Sequence, residues 1–153
     1  MISDTLLKGV YLFGDLSAEE RGRLAKIAES MALPAGFQIF RAGEEATALY
    51  LIKDGSVRIT TLSPSGERID VATLGSGSHF GEMALIDDFP RSADAVAHEA
   101  CRLFVVRKED MEDLLFVDRD LAYDLLWSFV RTLSSRLRET NDKMTFMAVT
   151  SKF

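Results

Sequence analysis

The spacing of apolar positions changes twice along this chain, and each change marks a new kind of element. Ser17 and Glu20 stand at the S-x-x-E spacing of a helix capping box. Leu24, Ile27, Ala28 and Met31 then recur at i, i+3, i+4 and i+7, which predicts one apolar helix face ending at Pro34-Ala35-Gly36. From about 37 to 106 the period falls to two. Ala48, Tyr50 and Ile52 alternate with Leu49, Leu51 and Lys53, and Asp54-Gly55 predicts a hairpin turn. Val57, Ile59 and Thr61 continue the alternation up to a second turn at Ser63-Pro64-Ser65-Gly66, and Ile69, Val71 and Thr73 follow it. Six or more short strands at this spacing predict a sandwich or closed barrel. After residue 107 the helical period returns, over about 108–116 and again over about 119–147.

The last of these segments carries two stripes. Leu126, Val130, Leu133, Leu137, Thr140, Met144 and Met147 are spaced alternately by four and three, an a/d seam with one polar break at Thr140. Leu121, Leu125 and Phe129 form a second stripe near the helix start. One stripe is expected to pack on the β-domain and the other on a partner helix in a parallel homodimer. The alternative is a helix that packs wholly on its own domain.

Composition narrows the function. A chain of 153 residues, 47% hydrophobic and 27% charged, predicts one soluble globular domain over 1–153. Its net charge of −6 opposes nucleic acid and anionic membranes, so an anionic ligand needs a dedicated site. The single cysteine, Cys101, excludes an internal disulfide and, in its strand-like run, reads as a buried small hydrophobe. The N-terminus lacks signal-peptide character, and no apolar run approaches the ~20 residues of a membrane span, so a cytoplasmic location is expected. No Ser-His-Asp set, P-loop or paired metal ligands are found. His79 and His98 lack a partner pattern for haem or a metal. No catalysis and no cofactor are expected.

Residues 75–92 interrupt the strand rhythm, and the chemistry concentrates there. A helical turn beginning at Met83-Ala84-Leu85 would direct free backbone N–H groups toward Gly81, where an anion can sit. Pro90 closes the segment. Arg91 offers a fork of donors suited to phosphate, Ser92 a hydroxyl and Ala93 an N–H. Ionised Glu82 only accepts hydrogen bonds, which suits a sugar hydroxyl. A structural Glu82–Arg91 ion pair is the simpler alternative.

The stretch Gly81-Glu82-Met83-Ala84-Leu85, with Arg91-Ser92-Ala93 following, resembles the phosphate-binding cassette of the cyclic-nucleotide-binding domain family. The resemblance runs over roughly 5–147. It takes in Leu12-Phe13, the run from Tyr50 to Val57, and the long helix. It implies a mainly β fold with flanking helices: an antiparallel jelly-roll barrel over about 30–106, an N-terminal helix, and C-terminal helices over about 108–147. It also implies a ligand, cAMP or cGMP, with Glu82 accepting from the ribose 2′-hydroxyl and Arg91 pairing with the exocyclic phosphate oxygens. Ser92 and the N–H groups of Met83, Ala84 and Ala93 would complete the phosphate cage, and Gly81 would let the backbone approach the sugar. Ile59, Val71, Ala72 and Phe80 match positions lining the nucleotide cavity. Arg136 to Met144 resembles the adenine-reaching part of the catabolite activator protein's dimer helix. Thr140 would then meet the base of its own subunit, and Asn141 that of the partner.

These readings converge on a non-catalytic sensor that passes its signal to an unknown downstream protein or further domain. With no helix-turn-helix segment before Phe153, the chain alone is not expected to bind DNA. The rival reading is a ligand-independent dimerisation module that keeps the fold. A metal-dependent enzyme on a related barrel ranks third, since paired ligands are missing.

Overall fold

The computed structural model describes residues 1–151, so the last two positions of the expected 1–153 domain lie outside the described residues. Two helices, α1 (Asp4–Lys8) and α2 (Ala18–Ala25), lead in. Eight strands follow: β1 (Ala28–Leu33), β2 (Gln38–Phe40), β3 (Ala48–Asp54), β4 (Val57–Leu62), β5 (Arg68–Leu74), β6 (His79–Phe80), β7 (Asp94–Ala97) and β8 (Cys101–Arg107). A short 3-10 turn, Glu82–Leu85, lies between β6 and β7, and α3 (Lys108–Val117) and α4 (Arg119–Thr150) close the chain. The strands pair antiparallel in two four-stranded sheets, ordered β1-β8-β3-β6 and β2-β7-β4-β5. The fold is mainly β with flanking helices.

The capping box forms as expected: Ser17 Oγ accepts from the Glu20 N–H and Glu20 Oε1 from the Ser17 N–H. The helix it opens is shorter than its periodicity predicts. It ends at Ala25, and residues 28–33 pair in unbroken register with β8, from Ala28 opposite Val106 to Leu33 opposite Cys101. The reason is tertiary. β8 is an almost continuous apolar run that sits inside its sheet and needs a neighbour on each edge. Satisfying that ladder outweighs a four-residue helical pattern.

The Asp54-Gly55 turn also differs from expectation. β3 and β4 are not paired; the turn carries the chain from one sheet to the other. Gly55 has φ +90, and a Cβ there would lie 2.4 Å from the Ala100 carbonyl oxygen. That approach brings the corner against the 98–100 corner, where the His98 N–H donates to the Ser56 carbonyl at 2.9 Å and Ser56 Oγ to Glu99 at 3.0 Å. The second turn, by contrast, closes a true β4–β5 hairpin.

Two cores result, and β3 serves both. Ile52 joins Leu33, Phe40, Val57, Phe80, Ala95, Ala97, Cys101 and Leu103 between the sheets, with Tyr50 packed at the edge. Leu49 and Leu51, on the opposite face, join Phe104 and Val106 beneath the helices, with Leu7, Leu12, Phe13, Leu24, Met111, Leu121 and Leu125. A strand buried on both faces reads as a nearly continuous apolar run, which is what β3 shows. Cys101 is buried and free, and burial raises its thiol pKa.

The α4 stripes separate as their spacing predicts. Leu121 and Leu125 are buried, Phe129 packs beside them, and Ser128 Oγ donates to the Leu12 carbonyl at 2.8 Å. The seam residues face outward, and every residue from Leu133 to Thr150 is exposed. Among the described residues, no helix is long and apolar enough to cross a membrane, and no His, Cys, Asp and Glu side chains cluster as metal ligands.

Candidate ligand-binding site

β6 delivers the chain to Gly81, whose φ of +79 turns it into the 3-10 helix. A Cβ on Gly81 would stand 2.6 Å from Arg91 Nη1 and 3.1 Å from the Ala48 carbonyl oxygen. Glycine is needed here twice over, for the left-handed backbone and for the space the guanidinium takes. Arg91 itself is anchored from both ends. Its N–H donates to the Glu44 carbonyl and its carbonyl accepts from the Gly43 N–H, each at 2.8 Å. Its guanidinium donates to Ala48 O at 2.7 Å and to Gly81 O at 3.4 Å, and lies 4.1 Å over the Phe40 ring.

The Arg91 residue is only 8% exposed, and burial pulls its pKa below the usual arginine value. Its Nε is buried without a partner among the described residues. The expected alternative, a Glu82–Arg91 ion pair, is not formed. Glu82 Oε1 instead accepts from the Tyr11 hydroxyl at 3.0 Å and lies 3.9 Å from Arg136 Nη2 on α4. The Arg136 guanidinium in turn sits 4.6 Å over the Tyr11 ring. The Tyr11 pKa is pushed up to about 12, first by burial and then by the Glu82 charge, so its hydroxyl stays a donor. His79 packs its ring 5.5 Å from that of Tyr11, and burial lowers its pKa.

Between these groups lies a cavity of about 510 Å³, within the usual range for small-molecule sites. Ile59, Phe80, Gly81, Glu82, Met83, Ala84, Arg91, Ser92 and Ala93 line it, together with Phe40, Ala46, His79, Asp87, Phe89 and Pro90. Nine of the thirteen residues proposed from sequence thus meet around one space. The carboxylate of Glu82 and the guanidinium of Arg91 both border it without neutralising each other. A ligand with a hydroxyl donor and an anionic group matches that pair.

The other four lie elsewhere. Val71 and Ala72 are not among the lining residues. The β4–β5 register shifts so that Ile59 opposes Ala72 and Thr60 opposes Asp70, leaving Val71 unopposed and 59% exposed. Ala72 shares the half-buried side of β5 with Leu74, next to Ile59 but outside the lining. Thr140 and Asn141 are exposed on α4, and Thr140 Oγ1 donates to the Arg136 carbonyl one turn back. One proposed phosphate donor is engaged as well: the Ala84 N–H donates to the Gly81 carbonyl at 3.2 Å. Sequence reasoning missed Tyr11 and Arg136. Tyr11 is 71 positions from Glu82 and no spacing links them. Arg136 entered only as the first residue of the stretch 136–144, with no role toward the carboxylate.

Gly81→Ala should lower stability by about 1–2 kcal/mol from the left-handed backbone alone. Displacement of Arg91 should weaken ligand binding further. Thermal unfolding measures the first effect and titration the second; a melting temperature equal to wild type would remove the steric argument.

Comparison with known proteins agrees with this geometry. The family model described as "Cyclic nucleotide-binding domain" matches residues 31–118, more than half of the chain. The chain is similar to a "Cyclic AMP receptor protein" of Thermus thermophilus, 36% identical over 88% of this chain and 61% of that protein. It is similar to a "cAMP-dependent protein kinase regulatory subunit" of Yarrowia lipolytica, 35% identical over 73% of this chain and 29% of that protein. The chain therefore spans less than two thirds of the length of these curated relatives. The solved N-terminal domain of a transcriptional regulator from Streptomyces coelicolor superposes with a TM-score of 0.79 at 30% identity, covering 90% of this chain and 95% of that one. The glycine-turned cassette between β6 and β7 and the family match over residues 31–118 agree, and the chain belongs to the cyclic nucleotide-binding domain family.

Proposed function

We propose that this chain is a non-catalytic cyclic-nucleotide sensor that favours cAMP over cGMP and relays occupancy through α4. The observation that carries the proposal is the Arg91 guanidinium. It is buried in the wall of a cavity, held by two backbone carbonyls, and faces the same space as the Glu82 carboxylate. A cyclic phosphate supplies the anion that such a cation favours, and a ribose hydroxyl supplies the donor that Glu82 accepts. Ser92 and the N–H groups of Met83 and Ala93 then serve the phosphate, and Ile59 and Phe80 the apolar wall.

The preference for cAMP rests on Thr140 and Asn141, and on two relatives whose names carry cyclic AMP. Both residues lie outside the cavity, so their base contacts require α4 to move or a second copy to bring its helix across. Contacts made only in that closed arrangement give the ligand the differential affinity that shifts a population. The seam of α4 is proposed to join two copies. The output passes to a downstream protein or domain, in the cytoplasm, without DNA contact by this chain.

Calorimetric titration with cAMP and with cGMP tests the proposal. Saturable binding of both, tighter for cAMP, is the expected result. Tighter cGMP binding reverses the preference and removes Thr140 and Asn141 from the base site. No binding of either at millimolar ligand leaves the dimerisation module as the better reading.

A further inference from the structure

We infer that Tyr11 is a positioning residue for the Glu82 carboxylate, so that recognition of the sugar hydroxyl depends on the docked N-terminal segment. The inference rests on the cyclic-nucleotide reading of the cavity and adds to it a residue far outside the cassette.

Glu82 has two oxygens, and the structure treats them differently. The Tyr11 hydroxyl donates to Oε1 at 3.0 Å, and Arg136 Nη2 approaches that same oxygen at 3.9 Å. Oε2 has no hydrogen-bond partner among the described residues, while Glu82 lines the cavity. A carboxylate is planar, so holding one oxygen sets the direction of the other. The free oxygen is the acceptor left for a ligand hydroxyl.

Tyr11 is able to do this because its own position is fixed. Val10, Leu12 and Phe13 on either side are fully buried in the core beneath the helices. Its ring packs 5.5 Å from that of His79 on β6 and 4.6 Å from the Arg136 guanidinium. The Leu12 carbonyl, one residue on, accepts from Ser128 of α4. One short turn therefore touches the sugar carboxylate, the strand that leads into the cassette, and the helix proposed to carry the signal. Loosening this turn frees Glu82 to rotate, and the loss falls on the hydroxyl that Glu82 reads rather than on the phosphate held by Arg91.

Tyr11→Phe keeps the ring and deletes only the hydroxyl, so the core packing is retained; circular dichroism melting checks that. The binding test titrates wild type and variant with cAMP and with 2′-deoxy-cAMP. The variant should bind cAMP about 3- to 10-fold more weakly, the worth of one hydrogen bond. Its affinity for 2′-deoxy-cAMP should equal that of wild type, because that ligand offers Glu82 no 2′-hydroxyl. Equal weakening toward both ligands would show a structural role and overturn the inference. Unchanged or tighter cAMP binding would overturn it too, the latter by making Tyr11 a competitor. A wild type that binds neither ligand sinks the sensor reading itself, an outcome distinct from the others.

Discussion

Arg91→Ala should weaken cAMP binding by roughly 30-fold to several-thousand-fold, the ~2–5 kcal/mol that follows loss of one partner from a buried charge pair. The size follows from where the charge sits. An exposed arginine is screened by water and contributes little, but Arg91 is a buried residue. A phosphate that arrives without it loses a charge-assisted fork that no other described cation lining the cavity replaces. The fold should survive. No carboxylate forms an ion pair with Arg91 among the described residues, so removing it strands no buried anion. What the fold loses is the packing on Phe40 and the donors to Ala48 and Gly81. Isothermal titration beside a melting curve separates the two effects. Equal affinities in wild type and variant would take Arg91 out of the phosphate site. A variant that binds weakly because it has unfolded would show in the melt, and Arg91→Met, which keeps the aliphatic stem over Phe40, then provides the cleaner comparison.

The contrast between what the sequence disclosed and what it hid has a physical pattern. Local chemistry was legible. The capping box at Ser17 and Glu20, the Ser63–Gly66 hairpin and the two stripes of α4 are each fixed by residues a few positions apart. That residues from Gly81 to Ala93 line one cavity has the same origin, since they form one short segment. Features set by distant pairing were not. The strand at 28–33 exists because β8 needs a neighbour, although Ala28 and Met31 continue the helical spacing of Leu24 and Ile27. Asp54-Gly55 reads as a hairpin because the turn chemistry is the same whether the next strand joins this sheet or the opposite one. Val71 was misplaced by one register shift, which exchanges the two faces of β5. Tyr11 and Arg136 reach Glu82 from opposite ends of the chain, and only the packed structure brings them together.

The double substitution Leu133→Asp with Leu137→Asp should convert the proposed dimer into monomers at micromolar concentration. Leu126, Val130, Leu133, Leu137, Met144 and Met147 form one apolar face on a helix whose other stripe is already buried against its own domain. An apolar face this long is unusual on an isolated soluble chain and is the form a helix-pairing surface takes. Burying one leucine contributes about 1.5–3 kcal/mol, and the double variant removes four from a symmetric pair. It also sets four carboxylates in adjacent layers, where desolvation and like-charge repulsion act together. The lost burial of the half-exposed leucines and the like-charge repulsion act together against the ~8 kcal/mol that holds a micromolar complex. Both positions are exposed in the single chain, so neither β-core should be disturbed. Light scattering on wild type and variant reads the result directly. A wild type that is already monomeric at micromolar concentration would refute the pairing. The monomeric variant then answers a second question. Arg91 and Glu82 belong to the β-domain, so phosphate and sugar recognition should persist in it. The base, however, loses any cover from the partner's helix. Affinity for cAMP should fall toward that for cGMP, since both share the same sugar and phosphate. If instead the variant keeps the full wild-type preference, discrimination between the bases does not pass through the seam, and Asn141 has no part in it.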